Sequence, residues 1–339
     1  MPWGDVNARA RGLATHLLDR VTLEHLARST DLRALAERML AAGVPLDVEG
    51  LVEASPAELD RAIGRAASSR LAVLERWLGP RRRAALAVLF ERFDVDNLRR
   101  LLRAAVQGAS PAARLRGMLP TPSLPERALE RLAEVASIQE LSGALVRLGH
   151  PAGRVLAPHR AGTPAPSLLD LELALLRLYV TRAGRFARRG DRLLREYVER
   201  TIDLHNARSL LLREHWGDRL SAAAAWLPGG RALQRPGFLE LAALADARVR
   251  RDGLARRFPP PLLNLLADRD VAAPQLETRA LGLLLMWLRA TALREPLSSA
   301  PTLLTLLRIE AETRDLRSLV WGIAMRAPAS LLSAGLLAA

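Results

Sequence analysis

Three short stretches of the chain place a carboxylate, a second polar group and a guanidinium within two turns of helix. Asp94, Asn97 and Arg99 stand at i, i+3 and i+5. Asp203, Asn206 and Arg208 repeat that spacing, and Glu312, Asp315 and Arg317 repeat it again. Such a set has chemical potential: an acid that exchanges a proton, an amide that donates and accepts, and a cation that holds an oxyanion. On a helix, positions i and i+3 share one face. Phe90, Asp94, Asn97 and Leu101 fall on one stripe, as do Ile309, Glu312, Leu316 and Leu319, so polar groups lie inside apolar faces. A polar group buried without a partner costs about 1–3 kcal/mol. The favoured reading is therefore structural: these residues pin backbone ends or arginines of neighbouring helices rather than a substrate.

The elements that must position them repeat too. The motif occurs at three places and no fourth, with offsets of 203 − 94 = 109 and 312 − 203 = 109. Equal spacing of that length marks three copies of one unit. Leu32, Leu35, Gly43 and Pro45 match Ile138, Leu141, Gly149 and Pro151 at an offset of 106, whereas the front half of the third unit shows no clear match. The expected units are 1–118, 119–228 and 229–339, forming one compact body.

Composition sets the fold class. Half of the 339 residues are hydrophobic but only 4% are aromatic, and Leu, Ala and Arg, strong helix formers, dominate. No segment alternates strictly enough for a strand, so the chain is expected to be all-α. Ser55-Pro56-Ala57-Glu58 is a strong helix start, with a capping serine, a first-turn proline and a glutamate that completes a capping box. Helical periods run over 7–28, 31–40, 56–78, 80–107, 125–148, 168–182, 190–216, 238–251, 261–267, 277–294 and 301–325. Met118–Pro125, Leu156–Ser167 and Pro259-Pro260-Pro261 read as breaks.

Several chemistries are excluded. There is no cysteine, hence no disulfide, thiolate metal site or thiol nucleophile. All 50 basic residues are arginine, so a P-loop lysine, a Schiff base and a Ser–Lys dyad are excluded too. The six histidines, His16, His25, His150, His159, His205 and His215, lack metal-ligand spacing and read as loop, surface or interface residues. Asp268 and Asp270 read as solvated turn residues rather than an acid–base pair. Net charge is +14, which favours anionic partners. The arginine clusters at Arg81–Arg83, at Arg185, Arg188 and Arg189, and at Arg248, Arg250, Arg251, Arg256 and Arg257 read as solvated helix faces. The opening residues lack the apolar core of a secretory signal. The longest apolar run, Leu281–Leu288, falls short of the ~20 residues a membrane span needs.

With their flanks, the motifs carry a family resemblance. Val6–Leu13 (VNARARGL) is similar to the opening helix of the central-stalk cap protein of rotary V-type and A-type ATPases, which is called C in bacteria and archaea and d in eukaryotes. Glu91–Gly108 (ERFDVDNLRRLLRAAVQG) resembles the family's most specific signature, Glu196–Leu211 (EYVERTIDLHNARSLL) its second, and Pro296–Arg317 its last helix pair. The family's usual aromatics before the last glutamate are missing between Leu303 and Leu307. The resemblance implies a funnel-like body of three similar helical lobes about a pseudo-threefold axis, its central cavity taking the end of the rotor shaft. It implies a monomer within a hetero-oligomer. Its partners would be shaft subunits of the D and F type and the membrane proteolipid ring, met at the cytoplasmic face of a bacterial membrane. It implies no catalytic residue, cofactor, metal, nucleic acid or small-molecule substrate: the work is mechanical, joining ATP turnover to proton or sodium transport. The alternative is an unrelated arginine-rich helical protein that binds nucleic acid or acts as a scaffold.

Overall fold

A computed structural model of the chain describes residues 3–47, 55–157, 166–188, 190–213, 221–258 and 273–337. All regular secondary structure among them is helical. In chain order the helices are α1 (Gly4–Ala14), α2 (Arg20–Leu26), α3 (Leu32–Ala41), α4 (Pro56–Arg76), α5 (Pro80–Val106), α6 (Pro111–Arg114), α7 (Glu126–Glu134), α8 (Ile138–Arg147), α9 (Ala152–Val155), α10 (Leu168–Ala187), α11 (Arg192–Leu211), α12 (Ala222–Ala225), α13 (Arg235–Ala243), α14 (Ala247–Ala255), α15 (Ala273–Arg294), α16 (Ala300–Ala324) and α17 (Ala329–Ala334).

Local chemistry sets the boundaries. Ser55 accepts the Glu58 N–H while Glu58 accepts the Ser55 N–H at 2.7 Å, a full capping box on α4. Such a cap stabilises by about 0.5–2 kcal/mol. Prolines open α4, α5 and α6, where a missing N–H costs nothing. Gly43 and Gly149 follow α3 and α8 with φ of 83° and 69°, left-handed values that favour glycine.

Three stretches expected as single helices are pairs. The 7–28 period breaks at residues 15–19, where Asp19 turns extended and accepts the Thr22 N–H to start α2. The 125–148 period breaks after α7, and Ser137 caps α8 by accepting the Glu140 N–H. The 238–251 period breaks at 244–246, and Asp246 caps α14 by accepting the N–H of Arg248 and of Val249. In each case the side-chain cap competes with the continuing helix and wins. The third unit's front half thus carries two consecutive short helices, α13 and α14, as the first carries α2 and α3 and the second α7 and α8. The sequence showed no match there. The expected helix at 261–267 and the break at 259–261 lie outside the described residues.

The chain divides into two compact units. One comprises Asp5–Leu175 with Thr305–Ala339, the other Leu176–Leu304 with Met1–Gly4. The division falls inside α1, α10 and α16. The core of the first unit gathers Leu23, Leu26, Leu35, Met39, Leu59 and Ile63 from the N-terminal helices with Leu316, Leu319, Val320, Ile323 and Leu336 from the C-terminal ones. Each such leucine contributes about 1.5–3 kcal/mol on burial. In the other unit α11 packs against α13, α14 and α15. No helix among the described residues is long and apolar enough to cross a membrane.

Candidate functional site

The first motif lies on α5, and its polar groups hold the chain that leaves the helix. Asn97 is buried. Its Nδ2 donates to the Leu119 carbonyl at 2.7 Å, and its Oδ1 accepts the Leu119 N–H at 2.9 Å. One amide thus satisfies both backbone groups of one residue. Asp94 accepts the hydroxyls of Thr121 and Ser123, and His150 Nε2 lies 3.5 Å away. Thr121 Oγ1 accepts the Leu124 N–H at 3.0 Å, two residues before α7 begins. The motif helix therefore fixes the segment that leads into α7.

The second motif repeats this on α11. Asn206 exchanges both hydrogen bonds with Leu227, each at 2.8 Å. Asp203 accepts the N–H of Arg231, Ala232 and Leu233 at 3.0, 2.8 and 3.1 Å, just ahead of α13. A Cβ on Gly230 would stand 2.2 Å from Asp203 Oδ1, so the close approach needs glycine.

The third motif, on α16, has a carboxylate where the others have an amide. Asp315 accepts the Leu337 N–H at 2.9 and 3.1 Å, and an ionised carboxylate, unlike the amides, carries no donor for the Leu337 carbonyl. Glu312 accepts the Leu18 N–H at 2.8 Å and pairs with Arg70. Leu18 is two residues ahead of α2. Each acid thus holds the segment that leads into a short helix: 121–124 into α7, 231–233 into α13, and Leu18 into α2.

The three arginines also share one kind of partner. Arg99 donates to Glu172 at 3.0 and 3.1 Å, with Arg103 on the same carboxylate. Arg208 donates to Glu277 at 3.3 Å. Arg317 donates to the carbonyls of Gly117 and Met118 at 3.0 and 2.6 Å, with Asp60 3.3 Å from its Nε. Asp60, Glu172 and Glu277 are each the fifth residue of their helices, α4, α10 and α15. Sequence reading missed all three acids. Their offsets, 172 − 60 = 112 and 277 − 172 = 105, are unequal because the connections before the helices differ in length. A search counted from helix starts would have found them.

Burial and charge compete at these carboxylates. For Glu172 burial pushes the pKa up, but Arg103 and Arg99 outweigh it and hold the group below the usual carboxylate range. For Asp203 burial wins over its three N–H donors, and for Glu312 over Arg70 and the Leu18 N–H, so both are pushed up. Burial lowers the Arg317 guanidinium; Asp60 opposes the shift and the Arg100 charge adds to it.

The nine motif residues do not converge on one reaction centre. The first and third motifs lie in one unit and the second in the other. Most of their polar atoms are engaged by backbone and partner side chains; the buried Arg317 Nε lies 3.3 Å from Asp60 but makes no hydrogen bond. Asn97 and Arg317 do share the lining of a cavity of about 500 Å³, with Asp60, Arg100, Arg116 and Trp321. Among the described residues no group of three or more His, Asp and Glu side chains gathers as a metal site. Of the expected arginine faces, Arg82 pairs with Asp5 at 3.0 Å and Arg257 with Glu240 at 2.6 Å. Arg189, His159, His215, Asp268 and Asp270 lie outside the described residues.

A family model described as ATP synthase (C/AC39) subunit matches residues 6–334. The chain is 29% identical over 277 residues to the C subunit of the V-type ATP synthase of Deinococcus radiodurans, a match covering 79% of this chain and 74% of that protein. It is 24% identical over 217 residues to the C subunit of the A-type ATP synthase of Methanocaldococcus jannaschii, covering 62% of this chain and 54% of that one.

Proposed function

The chain belongs to the ATP synthase (C/AC39) subunit family, and from that membership we propose that it is the rotor piece joining the central shaft of a rotary V- or A-type ATPase to the membrane proteolipid ring. It carries torque between ATP turnover and ion movement and performs no chemical step itself. It sits as a peripheral component on the cytoplasmic face, one copy among different subunits.

The observation that carries this reading is the order of the arginine contacts. Arg99 of the first copy reaches α10, Arg208 of the second reaches α15, and Arg317 of the third returns to α4. Glu312 likewise holds Leu18, near the start of the chain. First grips second, second grips third, third grips first. We read the units 1–118, 119–228 and 229–339 as three similar lobes closed about a pseudo-threefold axis, with the nine motif residues as the pins. A piece that transmits torque must be stiff, and buried, saturated polar contacts confer stiffness. Cationic surface suits acidic protein loops or anionic lipid headgroups.

The test is reconstitution of the ATPase with and without this chain. With it, the catalytic head and the ring co-purify and ATP hydrolysis drives ion uptake into vesicles. Without it, the head still hydrolyses ATP but no gradient forms. Unimpaired pumping in its absence would defeat the reading.

A further inference from the structure

The cavity between α5 and α16 is lined by Arg100, Arg116, Arg314 and Arg317, and two of these arginines stand where the other copies carry small uncharged residues. The residue after the motif arginine is Ser209 in the second copy and Ser318 in the third, but Arg100 in the first. The residue three before the clasped leucine is Ala224 in the second copy and Ala334 in the third, but Arg116 in the first. Both positions depart from the small uncharged residue of the other two copies, and both arginines line the same cavity.

The acids of that cavity are already engaged. Asp60 has Arg317 at 3.3 Å, the Gly117 N–H at 2.7 Å and the Trp321 indole N–H at 3.4 Å. Glu310 pairs with Arg92, and Asp96 lies 3.9 Å from Arg99. Arg100 and Arg116 are exposed, and their guanidinium groups make no hydrogen bond or ion pair with a described residue. The Arg116 guanidinium lies over the Trp321 ring at 5.4 Å, which orients it without consuming its N–H donors. Arg100 lies across Gly117, whose φ of 70° suits it to the turn and whose lack of a Cβ leaves room for the guanidinium. Its charge acts on the Arg317 guanidinium against the larger, opposing effect of Asp60, which places Arg100 close to that pair.

We propose that this cavity receives an acidic segment of a rotor partner, and that Arg100 and Arg116 are the residues that select it, their free guanidinium faces each taking a carboxylate. This rests on the coupling reading and adds to it the charge of the partner and the residues that read it. A cavity of about 500 Å³ admits the side chains of a chain end or loop tip. Arginine matches carboxylate geometry with two parallel N–H donors, and cations at such a mouth act on association rate and salt dependence more than on stability.

The test measures binding of the purified full chain to the shaft subunits of its own ATPase across a salt series. The wild type is compared with the double variant Arg100→Ser, Arg116→Ala, which gives each position the residue type of the other copies, and with Arg100→Lys, Arg116→Lys. The Ser/Ala variant is expected to keep the wild-type melting temperature, bind about 10-fold or more weakly at low salt, and lose most of its salt dependence. The Lys/Lys variant is expected to recover most of the affinity. Unchanged affinity and salt dependence in the Ser/Ala variant overturn the proposal and leave the coupling reading standing. If inorganic phosphate raises the melting temperature of the wild type but not of the Ser/Ala variant, while shaft binding is equal, the occupant is a free oxyanion and the proposal fails. If the wild type does not bind the shaft subunits at all, both this inference and the coupling reading fall.

Discussion

Replacing Asn97 with alanine tests the clasp directly. The amide is 2% exposed and makes two short bonds to one residue, the Leu119 N–H and carbonyl. Alanine leaves both backbone groups without a partner at a buried position. Each such orphan costs about 1–3 kcal/mol, so the loss falls between about 2 and 6 kcal/mol. Asn97 borders the cavity, so water can reach part of the site and the lower half of that range is expected. The readout is amide hydrogen exchange at Leu119, with urea midpoints as a check. A local loss of about 2 kcal/mol speeds exchange about 30-fold. Asn206→Ala acts on Leu227 in the other unit and is expected to release that amide while leaving Leu119 protected. Asn97→Asp keeps the bond to the Leu119 N–H but sets a carboxylate oxygen against the Leu119 carbonyl, as no donor remains. If Leu119 exchanged at the wild-type rate in Asn97→Ala, or if both variants released both amides equally, the clasp would not be a local pin.

Other substitutions probe the remaining contacts. Glu172→Gln is expected to destabilise the chain at neutral pH by removing a carboxylate held by Arg103 and Arg99. Because that pKa is depressed, the wild-type advantage is present above the unfolded carboxylate value and fades as pH falls through the folded one, which urea titration against pH will show. Glu312 has the opposite sign: its pKa is raised, so relative to Glu312→Gln the wild type gains stability as pH falls from neutral toward the unfolded value. Gly64→Ala would put a Cβ 2.9 Å from the Met118 carbonyl and 2.8 Å from Arg317 Nη2. Since the backbone cannot yield cheaply, a loss of about 1–3 kcal/mol is expected in thermal or urea unfolding. A double-mutant cycle on Arg208 and Glu277, a partly exposed pair, is expected to give a coupling of only about 0.2–1 kcal/mol.

The sequence by itself determined the all-helical class, the capping box on α4, the threefold recurrence of acid, amide or acid, and arginine, and the exclusion of thiol and lysine chemistry. These are local or compositional facts: a cap acts within three residues, and a helical face is set by a fixed angle per residue. Tertiary structure alone decided what the polar triplets hold. Leu119, Leu227 and Leu337 lend only backbone groups, which carry no signature in residue type. Asp60, Glu172 and Glu277 were hidden because connections of unequal length spoil a fixed offset, whereas helix starts preserve it. The splits at 15–19, 135–137 and 244–246 escaped notice because an apolar period continues across a break that a single serine or aspartate imposes. Arg100 and Arg116 are 16 residues apart in sequence and unremarkable in a chain with 50 arginines. Only the turn that sets Gly117 against Arg100, with Trp321 of α16 beneath Arg116, brings them to one cavity whose acids are already engaged, and charge balance around a shared cavity cannot be read along a line of residues.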